Sequence, residues 1–187
     1  MPNALPSEAR RWLWILLLTA ASVFVTLGMA CATPFAALAT LAALHTGRRD
    51  GLALIGFAWL ADQAVGYGLL GYPRTADGVA WGVVLGVAAV LALVAARALT
   101  ARLGGRGPGW TGAAAFAGAF VAYQAVLFAA TAVLASGLEV FSPAIVGWML
   151  RVNLLSLAGL LILHRLAVWI GLATREPLGA RATVTVG

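Results

Sequence analysis

The sequence predicts an all-α integral membrane protein: six transmembrane helices in one bundle, with both termini in the cytoplasm. Three observations predict it. The first is composition. The chain has 187 residues, is 63% hydrophobic with a mean hydropathy of +0.98, and has only 10% charged residues. A soluble domain is about half apolar and about a quarter charged, so too few polar side chains exist here to cover a water-facing surface. The second is pattern. The apolar residues form long runs that do not alternate, which excludes barrel strands and leaves helices as the structures that satisfy their own backbone in lipid. The third is charge placement. The chain has no lysine, and its 12 arginines lie largely at the ends of the apolar runs.

The elements follow in order. A first helix is expected over 12–29, after Arg10 and Arg11. A short break follows, in which Thr33 is a good N-cap and Pro34 suits a first helical position. The second helix, 34–46, is short for a perpendicular span, which needs roughly 20 residues. A polar turn at 47–51 leads into a third helix at 52–70, and the turn formers of 71–78 end it. The fourth helix covers 79–99, the fifth 110–135 and the sixth 143–172, with a short tail expected to be disordered. No internal repeat or second domain is visible, so residues 1–187 read as a single transmembrane domain.

Arginine placement orients the bundle. With six spans, one side collects Arg10, Arg11, Arg48, Arg49, Arg97, Arg102, Arg106, Arg165, Arg175 and Arg181, while only Arg74 lies in a loop on the other. Positively charged loops stay in the cytoplasm. A single helix over 12–45 would put Arg10/Arg11 and Arg48/Arg49 on opposite faces, which disfavours five spans. Trp12, Trp14, Trp110 and Trp169 are expected at the inner interface, Trp81 and Trp148 at the outer one. The arginines read as topology determinants beside anionic headgroups, with no nucleic acid implied. No cleavable signal peptide is evident, and a lone cysteine excludes an internal disulfide.

Polar residues inside the spans are the candidate site. Asp62 and Gln63 in helix three, and Arg151 and Asn153 in helix six, lie at similar depths below the outer end. Charges at such depth are costly and face a bundle interior or a cavity. One reading is an outward pocket lined by Asp62, Gln63, Tyr67, Arg151 and Asn153, with Tyr72 and Arg74 in the loop above. The other is a structural Asp62–Arg151 ion pair. Cys31 has two readings as well: a small apolar residue at a helix end, or a solvent-accessible thiolate, favoured by the helix-two N-terminus and suited to a transition metal. His45 and His164, at inner helix ends, read as interfacial structural residues. The small-residue spacings Ala32/Ala36, Ala36/Thr40 and Ala39/Ala43 read as close packing or as a docking face for another membrane protein. No H-E-x-x-H or G-x-S-x-G motif and no phosphate loop with lysine is present.

Six short hydrophobic helices, cytoplasmic ends, alanine-rich early helices and an outward pocket resemble the substrate-binding S-components of energy-coupling-factor (ECF) vitamin transporters. Within that group, the lone Cys31 near the substrate loops is similar to the BtuM-like cobalamin-uptake proteins. The resemblance implies a multi-pass protein of the bacterial inner membrane. It implies cobalamin as substrate, with Cys31 as a cobalt ligand that displaces cyanide from cyanocobalamin, and an ECF-type energising module as partner. The alternatives are a transporter of another small vitamin and a non-transporting anchor or assembly subunit.

Overall fold

A computed structural model describes residues 6–28, 33–134 and 141–173. Six α-helices follow one another: α1 (Ser7–Gly28), α2 (Phe35–His45), α3 (Arg48–Gly68), α4 (Ala76–Leu103), α5 (Pro108–Val133) and α6 (Pro143–Trp169). A short 3₁₀ turn, Gly104–Arg106, joins α4 to α5, and no strand occurs among the described residues. Four helices, α1, α4, α5 and α6, are long and apolar enough to cross a membrane, and α2 is a shorter apolar helix. The chain is therefore a helical, multi-pass membrane protein.

Local chemistry explains the helix ends. Thr75 caps α4 by accepting the Gly78 amide at 3.2 Å, and Ser142 caps α6 by accepting that of Ile145 at 3.4 Å. Pro143 then occupies the first turn of α6, where it has no amide to leave unpaired. Helix α6 stops at Trp169 because Gly171 turns left-handed at φ 76°, so that Leu172 N–H bonds back to the Ala167 carbonyl at 2.8 Å. One expected cap is corrected. Pro34, not Thr33, holds the cap position of α2 and no side chain caps it from within; the Thr33 hydroxyl lies 3.5 Å from that of Tyr123 instead.

Helix α2 is the hub. It is apolar on every side, and Phe35 to Ala43 are all buried, which is the pattern of a helix enclosed by others. Around it α3, α4, α5 and α6 pack, while α1 leans on α3 and touches α6. The resulting ring runs α6–α1–α3–α4–α5 and does not close tightly, since α5 and α6 share at most marginal contact. The small residues Ala36, Ala39, Thr40 and Ala43 are at most 1% exposed. They serve close packing inside the bundle, and α2 offers no face to a partner.

At 1.5 Å per residue, α2 is about 16 Å long, near half of a bilayer core. Its N-terminus therefore ends inside the bundle, and its C-terminus at the exposed turn of Gly47. Neighbouring helices supply partners at both ends. At the N-terminus, Asn153 Oδ1 of α6 accepts the Ala37 amide at 3.2 Å. At the C-terminus, Arg97 Nη2 of α4 donates to the carbonyls of Gly47 at 2.8 Å, Thr46 at 3.3 Å and Ala42 at 3.5 Å. A cation there also complements the helix dipole.

A second device joins α3 to α4. Trp59, Gln63 and Tyr67 form one stripe of α3, each four residues on from the last. Trp59 lies against Gly86 of α4, and Gln63 and Tyr67 against Gly82. Trp59 Nε1 donates to the Gly82 carbonyl and the Tyr67 hydroxyl to that of Gly78, both at 2.8 Å. Trp12, Trp110, Trp148 and Trp169 are exposed, and Trp81 is partly buried against the core. Trp14 packs inside the bundle: it is 7% exposed and its ring sits 5.6 Å from that of His164.

Gly51, in the first turn of α3, leaves the space that Arg97 Nη2 fills. Gly51→Ala should displace the guanidinium and lower stability by about 1–3 kcal/mol, the usual cost of overfilling a packed site. Gly56, on the same helix, has open space where its side chain would grow. Gly56→Ala should be neutral or slightly stabilising. Thermal melts of the purified protein in detergent check this; equal effects of the two changes would contradict the role given to Arg97.

Candidate functional site

The arginine-poor half of the bundle carries a layer of buried polar side chains. Thr26 of α1, Thr33 before α2, Asp62 of α3, Tyr123 of α5 and Asn153 of α6 are each 5% exposed or less. Helix geometry places Tyr123 and Asn153 each ten residues, about 15 Å, from the nearer end of its helix.

Asp62 is the one member with an unanswered charge. Its Oδ2 accepts from Gln63 Nε2 at 3.2 Å, while Oδ1 is buried without a partner. Thr26 faces the carboxyl, but its hydroxyl proton goes to the Ser22 carbonyl at 3.2 Å. The ring of Tyr123 lies close enough for its hydroxyl to feel the Asp62 charge. Next along α5, both amide atoms of Gln124 are buried and unpaired. Most other hydroxyls of the interior serve their own helix. Thr19, Thr40 and Ser156, for example, donate to the carbonyl four residues back at 2.7–3.0 Å.

The other sequence candidates separate by role. Asn153 is engaged at both ends of its amide, with Ala37 N–H and with the Met149 carbonyl at 3.0 Å. Gln63 and Tyr67 are turned toward α4. Tyr72 stacks edge-on to Tyr67 with ring centres 6.0 Å apart, and Arg74 donates to the Tyr67 carbonyl at 3.3 Å. These two residues close the C-terminal end of α3. The Asp62–Arg151 pair does not form. Arg151 is exposed, and the ion pairs among the described residues are Arg11–Glu8 and Arg11–Asp50. The reason is angular: at 100° per residue, Arg151 and Asn153 are about 160° apart around α6, and Asn153 takes the inward position. Cys31 and the neighbouring residues 29–32 lie outside the described residues.

Two cavities flank this framework. One, of about 330 Å³, opens between α1 and α6, running from Pro34 along α6 to Leu163. Its walls are nearly all apolar, including Phe24, Val25 and Leu160, with Ser22 and Ser156 as polar points. Asp62 is not one of its walls. The other, of about 1200 Å³, lies at the arginine-rich end. There the rings of His45 and His164 stack with centres 4.0 Å apart at 29°. Their positions at the inner ends of two helices were legible in the sequence; the adjacency of α2 and α6 that joins them was not.

Among the described residues no three of His, Cys, Asp and Glu group as a metal site. No protein-family model matches the chain, no curated protein is similar to it, and no solved structure matches its fold.

An unpaired buried carboxyl is a cost that the fold alone does not need. Removing such a group relieves a desolvation penalty of about 1–3 kcal/mol. Asp62→Leu should therefore raise the melting temperature of the ligand-free protein, Gln63 being half-exposed and free to turn to other partners. A clear fall in melting temperature would show that Asp62 is a structural anchor.

Proposed function

We propose that this chain is a membrane uptake protein that binds a small vitamin-type substrate, with cobalamin first among them, in the arginine-poor half of the bundle. The observation that carries this reading is Asp62: a carboxyl with a free, buried oxygen, facing Thr26 and near Tyr123, deep in the bundle. Intramembrane charges of this kind mark substrate and ion pathways. On this reading the arginine-rich end faces the cytoplasm, all six helices count as crossings, and the bilayer is the bacterial inner membrane. Helix α2 crosses only as the enclosed centre of the ring.

Cobalamin rests on the resemblance and on Cys31. In the proposed chemistry the Cys31 thiolate takes an axial position of cobalt(III). Cyanide leaves with its electron pair and takes up a proton from water, so no redox partner is needed. A thiolate is a soft ligand that suits this exchange. A second reading has its own support. A cavity of about 330 Å³ falls at the lower end of the range for small-molecule sites. That size suits a vitamin smaller than a corrinoid, with Cys31 incidental. An ECF-type energising module remains part of the proposal, docking on an outer helix face because α2 is enclosed.

Cyanocobalamin added to the purified protein should show an altered absorption spectrum. Cys31→Ala and Cys31→Ser should both abolish the change, since a hydroxyl is a hard, weak ligand for cobalt. Binding with an unchanged spectrum in all three proteins would remove Cys31 as a ligand. No binding by the wild type would remove cobalamin and favour the smaller vitamin.

A further inference from the structure

The cavity at the arginine-rich end has a charged rim and an apolar wall, and nothing in the uptake reading uses it. Arg48, Arg97 and Arg165 line it, with the stacked His45 and His164, and no acidic side chain does. Arg48 and Arg165 make no ion pair among the described residues. Arg48 and Arg97 are close enough to repel each other. Arg48 also stands first in α3, where the helix dipole disfavours a cation. His164, 6% exposed, also lines the cavity and stacks on His45 there. Like charges gathered without a counter-charge call for an anion.

The rest of the wall identifies what carries the anion. Phe116 of α5 and Leu154, Leu157 and Leu161 of α6 continue the cavity away from the arginines. They lie along the seam where α5 and α6 fail to pack together. Leu154 is 47% exposed on the outer surface of the bundle, so the cavity runs laterally to where acyl chains lie. At about 1200 Å³ it exceeds the usual range for drug-sized ligands, 300–1,000 Å³. We propose that this cavity binds an anionic phospholipid, its phosphate among Arg48, Arg97 and Arg165 and an acyl chain in the seam between α5 and α6. Basic pockets between helices on the cytoplasmic side take such headgroups. The site does not depend on the uptake reading or on Cys31. It closes the ring with lipid where the protein leaves it open.

The test uses the full chain, purified and delipidated in detergent. Its melting temperature is followed while phosphatidylglycerol, phosphatidylcholine or inorganic phosphate is added. Phosphatidylglycerol should give a saturable rise that phosphatidylcholine does not. The Arg48→Gln/Arg165→Gln double variant should need roughly tenfold more of it, each arginine contributing a few-fold. Both side chains are exposed, so the lipid-free variant should melt as the wild type does. Leu157→Trp keeps every charge but fills the seam, and should weaken the response as well. An equal rise with inorganic phosphate would make the site a free-anion site and overturn the lipid. An equal rise with phosphatidylcholine, or responses unchanged in both variants, would overturn the site itself.

Discussion

A helix enclosed by four others constrains everything around it. Helix α2 has 11 residues, Phe35 to Ala43 are buried, and only its C-terminal turn at Gly47 reaches the surface. In such surroundings each unpaired backbone group costs several kcal/mol. The fold answers with two side chains from other helices, Asn153 at the N-terminus and Arg97 at the C-terminus. Both bonds fix the height of their own helix against α2. Asn153 sets α6 and Arg97 sets α4, so the two caps act as the register marks of an otherwise smooth apolar interior. Gly51 belongs to the same arrangement, because its missing side chain is the space the guanidinium enters.

Much of this was legible from residues. Composition and arginine placement led to a helical membrane protein, and the helix positions are close to those read from the apolar runs. The polar residues at the starts of helices were harder. Arg48, Arg49 and Asp50 look like a turn by composition, yet they form the first turn of α3 behind Gly47. The candidate site was legible in depth and illegible in angle. Asp62 and Arg151 match in distance from the helix ends, which invites a pair. Helical geometry adds that Arg151 and Asn153 cannot both face inward, and burial of Asn153 decides between them. Asn153 and Arg97 read as a pocket residue and a topology signal; only the adjacency of α2 with α4 and α6 shows them as caps.

The two ends of the bundle have opposite character. In the arginine-poor half, a single buried carboxyl has one oxygen without a partner, among hydroxyls that mostly serve their own helices. In the arginine-rich half, three arginines and two stacked histidines surround a larger space without a counter-charge. The α2 caps separate them. Asn153 belongs to the first layer and Arg97 to the second.

Helix α2 should be the most stably held element, because its ends are tied to two other helices. Hydrogen–deuterium exchange of the protein in lipid nanodiscs measures it directly. Backbone amides open at the free energy of the unit that holds them. Amides of Leu38 to His45 should exchange more slowly than those at the centres of α1 and α5, and Arg97→Gln should speed α2 more than either of those helices. Exchange of α2 as fast as that of the peripheral helices, or unaffected by loss of Arg97, would contradict it.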